Sequence, residues 1–197
     1  MLGHTLIAFQ NCKTINEIII TAREDKIEQI GLLCKSYDIG KARTIMIGGN
    51  TRLESVLRGV LAVSEESQLI AIHDGARPCV EQDIINNAVA AAAVRHAAAP
   101  AVKVSSTIKR VNNGLVTETV DRRDLYEIQT PQVFAAEIIK AALTNASFKY
   151  PEVTDDCMAA ELIGVPVHII EGSRNNIKIT TAEDIVIAEA IISRSKL

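Results

Sequence analysis

Leu69-Ile70-Ala71-Ile72-His73-Asp74-Gly75-Ala76-Arg77-Pro78 is the stretch on which the reading of this chain turns. It opens as a short apolar run and closes in a polar break, the pattern of a buried strand in a parallel sheet. Ligands of open α/β sheets bind beyond the carboxyl ends of the strands. Asp74 and Arg77 therefore belong at the crevice rather than in the core. Gly75 permits the turn, and Pro78 keeps the strand from continuing. A carboxylate and a guanidinium three residues apart at a strand end suit a site for phosphates and a metal ion. A surface salt bridge at a loop is the bland alternative, and spacing alone leaves both readings open.

Working outward, strands and helices alternate. Glu17-Ile18-Ile19-Ile20-Thr21 reads as a strand, Asp25 to Tyr37 as a helix and Thr44-Ile45-Met46-Ile47 as a strand. Arg52 to Val63 reads as a helix, as does the Ala-rich run from Asp83 to His96, with Ala101-Val102-Lys103-Val104 as the next strand. This alternation predicts a doubly wound, mostly parallel α/β sheet. Residues 4–10 read as the end of a helix. The rhythm breaks at Asn112-Asn113-Gly114, where two β-rich runs flank the strongest short hairpin signal. That hairpin is polar on both sides and predicts a projecting arm, about residues 106–133, that needs a partner surface. Gln129-Thr130-Pro131-Gln132 reads as an extended, hydrogen-bond-rich loop. Helices resume at Ala135 to Leu143 and Asp155 to Ile163, the latter with Thr154 as N-cap and Gly164 as C′ residue. Val165 to Ile170 and Asn175 to Thr180 read as short strands. Thr181 to Ser193 closes the chain as a helix with a capping-box start.

The 197 residues fit one domain with a sizeable core. Aromatics make up only 3% and Trp is absent, so that core must be aliphatic. A net charge of -3 with no basic run argues against a nucleic-acid polymer as partner. No apolar stretch reaches membrane-spanning length. Cys12, Cys34, Cys79 and Cys157 are scattered, which argues against zinc and disulfides and fits a reducing cytoplasm. Gly48-Gly49-Asn50-Thr51 enters a helix N-terminus, where free N–H groups attract anions, although it is neither a P-loop nor GxGxxG. Thr154-Asp155-Asp156 is accounted for by capping and the helix dipole. The four histidines lack metal-ligand spacing and read as structural, His73 with the least assurance because it precedes Asp74.

Several segments occur together and in order: Gly48-Gly49 with Arg52 and Ser55, His73-Asp74-Gly75-Ala76-Arg77-Pro78, Thr107-Ile108-Lys109, Thr119-Val120-Asp121-Arg122, Gln129-Thr130-Pro131-Gln132, Thr154-Asp155-Asp156, and Asn176-Ile177-Lys178-Ile179-Thr180. From His4 to the C-terminus the chain resembles the 2-C-methyl-D-erythritol 4-phosphate cytidylyltransferase family. The ribitol-5-phosphate cytidylyltransferases share the fold and several of these motifs. The Thr-Ile-Lys and His-Asp-Gly-Ala-Arg-Pro forms favour the former. The resemblance implies a Rossmann-like nucleotidyltransferase that transfers a cytidylyl group from CTP to a sugar-alcohol phosphate and releases pyrophosphate. It implies a cytoplasmic homodimer with interlocking arms and shared active sites. It assigns CTP contacts to Gly49, Asn50, Ser55, Asp74 and Gly75, and substrate contacts to Asp74, Arg77, Thr107, Arg122, Thr130 and Lys178. Arg122 and Lys178 are its catalytic cations, and Asp74 is the candidate ligand for Mg²⁺. Asn50 stands where the family often has Asp, and Ser106 where Asp is frequent.

Family members begin with a strand, a Gly-rich loop carrying a basic residue, and a second lysine. Met1 aligns after these, so about 30 residues, one supersecondary unit, are expected to be missing. The expectation is a chain with little cytidylyltransferase activity as written, the alternative being a non-catalytic dimerising remnant.

Overall fold

The computed structural model describes residues 1–150 and 152–194. Its layering is the expected α/β one, with helices on both faces of the strands. β1 (Ile18–Ala22) and β2 (Ala42–Ile47) pair in parallel, with Ile20 opposite Ile45. β3 (Leu69–Ile72) stands at the edge of a second sheet, followed in order by β8 (Gln132–Ala135), β4 (Ala97–Lys103) and β7 (Tyr126–Ile128), with β9 (His168–Glu171) paired in parallel to β4. β8 lies antiparallel between β3 and β4, and β7 runs antiparallel on β4. Among the described residues the β1–β2 pair has no ladder to the larger sheet.

Helices α1 (Leu2–Asn11), α2 (Ile27–Ser36) and α4 (Gln82–Arg95) cover one face. Leu6 packs with Ile20 and Ile30, Phe9 with Ile84 and Ile85, and Ala88 and Ala92 with Ala98 and Val133. On the other face, α3 (Arg52–Leu61) and α5 (Ala136–Lys149) bring Leu53, Val60, Ile139 and Leu143 onto Ile70, Ala97, Ala99 and Phe134. The i, i+7 spacing of Leu53 and Val60 is one helical stripe. Phe134 is fully buried at the centre of this cluster. Truncating such a side chain to Ala typically costs about 3–5 kcal/mol. The short α6 (Asp156–Glu161) adds Ala159 and Ala160. In α7 (Ala182–Arg194) the inward residue is Ala188, whose carbonyl accepts from the Cys79 thiol at 3.8 Å. All four cysteines are free and buried.

Four local expectations give way. β4 begins at Ala97, because α4 ends at His96 in the left-handed region (φ 69) and the alanines that follow are buried between helices on both faces. Gln132-Val133-Phe134-Ala135 is a wholly buried strand rather than loop. The cap of α6 is Asp155, whose Oδ1 accepts from Met158 N at 2.9 Å, not Thr154. Residues 175–180 form no strand; they are an irregular segment tied to the β3 loop by the Ile179 N–H to the Ala76 carbonyl.

The hairpin forms at the expected turn, but the arm is shorter than 106–133, because Tyr126–Ile128 and Gln132–Ala135 are strands of the larger sheet. β5 (Ile108–Asn112) and β6 (Leu115–Val120) pair antiparallel around Asn113 (φ 48) and Gly114 (φ 80). Two successive left-handed residues are what this tight turn requires.

Candidate active site at the carboxyl end of β3

The chain leaves β3 through His73 and Asp74 and folds back on itself, Arg77 N–H donating to the Asp74 carbonyl at 3.0 Å. The Asp74 carboxylate then meets two cations on the same oxygen. Lys178 Nζ lies 3.1 Å from Oδ2, and Arg77 Nε donates to it at 3.3 Å. Arg77 is itself held by the Asn176 carbonyl, 2.7 Å from Nη1. Burial opposes ionisation of Asp74, but Lys178, by charge and hydrogen bond, and then Arg77 outweigh it and hold the carboxyl below its ordinary range. Lys178 keeps 44% of its side chain in solvent, so this cation is reachable from outside.

Beneath the carboxylate a relay fixes the loop. Thr130 Oγ1 accepts from Asp74 N at 3.1 Å and lies 2.9 Å from His73 Nδ1. The Arg77 carbonyl can only accept, so the neutral ring carries its proton on Nε2 and the Thr130 hydroxyl donates to Nδ1. His73 is then the Nε2–H tautomer, donating to the Arg77 carbonyl at 3.2 Å. Burial lowers the His73 pKa to about 4, so it is neutral at neutral pH and structural, as expected. Gln129 and Asn176 brace the neighbouring loops. Gln129 Nε2 donates to the Ser173 carbonyl at 2.8 Å, and Asn176 Nδ2 to the Thr130 carbonyl at 2.9 Å.

The second side of the site is the turn from β2 into α3. Thr51 caps the helix, accepting from Glu54 N at 3.1 Å. Gly49 N donates to Ser55 Oγ at 3.0 Å, and Asn50 N to Glu54 Oε2 at 2.8 Å. A Cβ on Gly49 would overlap that of Glu54, so the tight approach depends on glycine. The turn's amides are thus met by its own side chains, and Glu54 already supplies the anion that the helix N-terminus favours.

Sequence reasoning overlooked the group that joins the two sides. Arg52, at the start of α3, makes a bidentate pair with Asp156 at the start of α6, at 3.0 and 2.7 Å. Asp156 is not merely a residue of a capped helix turn; it is fully buried. Burial raises its pKa, and the hydrogen bonds and charge of the Arg52 guanidinium oppose that rise. Gln132 binds the same helix start, its Oε1 accepting from Asp156 N at 3.0 Å and Cys157 N at 3.1 Å. An arginine in a first helical turn opposes the macrodipole, and that was the one signal of a distant partner.

Asp74, Gly75, Arg77, Thr130 and Lys178 are brought together, and Gly49, Asn50 and Ser55 sit on the adjoining turn. Thr107 and Arg122 are elsewhere, exposed on the arm, with Arg122 donating to the Ser105 carbonyl. Among the described residues neither pairs with the Asp74 group.

An α/β fold that gathers a carboxylate and two cations past a strand end, beside a Gly-Gly turn into a helix, has the construction of a nucleotide-handling protein. Sequence and structure comparisons narrow that class. The family model for 2-C-methyl-D-erythritol 4-phosphate cytidylyltransferase (IspD) matches residues 1–194, and the chain belongs to this family. The enzyme of that name from Halalkalibacterium halodurans is 42% identical over 196 residues, spanning 100% of this chain and 86% of the relative. That from Alkaliphilus metalliredigens is 37% identical over 198 residues, spanning 100% and 82%. Among solved structures, 4-diphosphocytidyl-2C-methyl-D-erythritol synthase of Anaerococcus prevotii superposes with a TM-score of 0.88 at 33% identity, covering 98% of this chain and 85% of that one. The Thermus thermophilus cytidylyltransferase gives 0.84 at 30%, covering 98% and 88%.

Proposed function

We propose that this chain transfers the cytidylyl group of CTP to 2-C-methyl-D-erythritol 4-phosphate, releasing pyrophosphate, as a step of isoprenoid precursor synthesis. The observation that carries the reading is the Asp74–Arg77–Lys178 cluster at the end of β3 in a chain of this family. A phosphate oxygen of methylerythritol phosphate attacks the α-phosphorus of CTP, and pyrophosphate leaves. The protein's task is to hold two polyanions in line and neutralise them. Lys178, solvent-accessible and parked on Asp74, is positioned to swing to an incoming phosphate. Arg77 is braced by the Asn176 carbonyl and stays to orient Asp74.

Mg²⁺ fits this donor set in the limited sense that one carboxylate can share it with substrate phosphates, the usual arrangement for this ion. Both cations of the cluster fall on Asp74 Oδ2. Among the described residues no group of three or more His, Cys, Asp or Glu could hold a metal alone. When bound, the ion would supply further charge neutralisation at the phosphates.

The homodimer belongs to the same proposal. Arg122 and Thr107 lie on an arm whose Val111, Leu115 and Val116 are 55%, 72% and 61% exposed, and a second protomer's arm would cover them. Arg122 would then reach the partner's substrate phosphate. A cytoplasmic location is supported by the four free cysteines; no helix among the described residues is long and apolar enough to cross a membrane.

Pyrophosphate release with CTP, methylerythritol phosphate and Mg²⁺, read beside calorimetric binding of methylerythritol phosphate alone, tests the reading. Substrate-dependent release supports it. Absence of binding, or binding indifferent to Lys178→Ala, overturns it.

A further inference from the structure

The Arg52–Asp156 pair has two unlike halves. The Asp156 side chain is 1% exposed, whereas that of Arg52 is 37% exposed. Well-packed apolar residues commonly replace a buried ion pair without loss of stability. Stability therefore does not explain a pair whose cation is left open to solvent.

The guanidinium is also only partly used. Its N–H donors lie in one planar fork. Nη1 and Nη2 hold the two oxygens of Asp156 end-on, at 3.0 and 2.7 Å. The Nε–H and the N–H beside it form a second edge, which meets no protein acceptor among the described residues. A planar guanidinium can take a carboxylate on one edge and a phosphate on the other.

The fold sets this guanidinium on the crevice. Gln132 pairs with Ile72, the last residue of β3, and Asp74 follows two positions later. The Gln132 side chain grips the start of α6 through Asp156 N and Cys157 N, so Asp156 lies beside the end of β3. Arg52 reaches it from the first turn of α3, next to the Gly49-Asn50 turn. Burial opposes the charge of Arg52, but Asp156, and after it the charge of Asp74, hold its pKa above the ordinary value. The neighbouring Asp155 is committed to Met158 N at 2.9 Å and Gln132 Nε2 at 3.0 Å.

We propose that Arg52 is a further phosphate-binding cation of the site, beside Lys178, and that Asp156 is the buried residue that positions it. The assignment rests on the proposed function for the source of the phosphate, methylerythritol phosphate or CTP. The two cations work differently. Lys178 leaves Asp74 to meet a phosphate, whereas Arg52 stays on Asp156 and offers its second edge without moving.

The test follows the arginine Nε–H resonances of the full 197-residue chain by ¹H–¹⁵N NMR. The titrants are methylerythritol phosphate, CTP and inorganic pyrophosphate, and the Arg52 signal is identified by its absence in Arg52→Lys. A saturable shift of that signal is expected. A shift with methylerythritol phosphate alone assigns Arg52 to the acceptor phosphate, and one with CTP or pyrophosphate assigns it to the nucleotide. Arg52→Met with Asp156→Leu keeps the packing and removes both charges. It should melt near the wild type and bind the responsible compound about tenfold or more weakly by calorimetry, since a hydrogen bond to a charged group is lost. Arg52→Lys keeps the charge without the second edge and should lose less. If the double variant does not fold, the wild-type titration alone decides. An Arg52 signal unmoved at saturation, or a folded double variant that binds as well as the wild type, would overturn the assignment and leave the pair structural. A wild type that binds none of the three compounds would overturn it together with the proposed function.

Discussion

The β3 rim and the hairpin arm carry neighbouring parts of one set of candidate residues, yet they are held in opposite ways. At the rim, Asp74, Arg77, Thr130 and Lys178 are fixed by contacts from segments up to about a hundred positions away, such as Arg77 to the Asn176 carbonyl. On the arm, the contacts stay local. Arg110 pairs with Glu118 at 2.8 Å and Arg123 with Asp121 at 2.5 Å, and all four side chains are more than half exposed. Exposed pairs of this kind contribute about 0–1 kcal/mol. The rim is therefore preorganised by one chain alone, whereas the arm leaves Val111, Leu115 and Val116 exposed. Substitutions should reveal the contrast: those at the buried rim residues change stability and activity together, whereas those at the half-exposed Lys178 and on the arm change activity without stability.

The largest effect is expected behind the rim. Arg52→Ala strands the carboxylate of Asp156, which is 1% exposed, without its bidentate partner. Breaking a buried pair in this way costs about 3–5 kcal/mol, and a comparable loss should appear in chemical denaturation. Exchange of both residues, Arg52→Met with Asp156→Leu, should recover most of it. A double variant no better than the single one would show that the pair's geometry, not its stranded charge, matters.

Next in size is Lys178→Ala. Removing one preorganised charge-stabilising group typically lowers turnover by about 10²–10³. The side chain is 44% exposed, so melting temperature should barely move. Asp74→Ala should lower both, because it also releases the largely buried Arg77. Pyrophosphate release beside thermal melts separates the two outcomes, and equal melting losses would erase the distinction.

The rim also predicts a pH dependence that the arm lacks. The folded pKa of His73 is about 4, below its unfolded value of 6.5. Between those values the unfolded chain binds the proton first, so stability falls as pH falls through that window, by roughly 3 kcal/mol when complete. Asp74 acts lower down. Its depressed pKa gives a contribution that is present above the ordinary carboxylate value and lost as pH falls through the folded one. His73→Gln should flatten the upper window of a denaturation series from pH 7 to 4 and leave the lower. A slope unchanged by the substitution would move the titrating group elsewhere.

Much of this was legible from local pattern. Local apolar patterning located all seven α-helices of the described residues and β3, because each buries one stripe or one short apolar run. The failures have physical causes. Ala97–Pro100 was assigned no strand because alanine favours helices; it is a strand because helices press on both faces and leave room only for small side chains. Gln132–Ala135 follows Pro131 and opens with glutamine, which suggests loop, but the glutamine faces a helix N-terminus and satisfies it. In the site, the motif residues near Asp74 could be recognised because they share one loop. Arg52 with Asp156, 104 positions apart, could not: an arginine in a first helical turn signals a partner, but nothing local says which residue it is.

The smallest energetic effect should accompany the clearest change of assembly. Leu115 is 72% exposed at the start of β6, opposite Asn112, and Val116 is 61% exposed beside it. Within one protomer neither is buried, so Leu115→Ser with Val116→Ser should alter monomer stability by no more than about 0.5 kcal/mol. A contact between arms would bury these side chains, and each well-buried aliphatic contributes about 1.5–3 kcal/mol. Losing two should weaken the dimer by several powers of ten. Sedimentation at tens of micromolar, roughly the range in which a specific dimer is populated, should find the wild type dimeric and the double variant monomeric, with unchanged circular dichroism. If Arg122 acts across the dimer as proposed, turnover should fall with it, while methylerythritol phosphate should still bind weakly to the intact Asp74–Lys178 rim. A wild type that sediments as a monomer would leave Arg122 a solvated surface charge and make the rim the whole of the site.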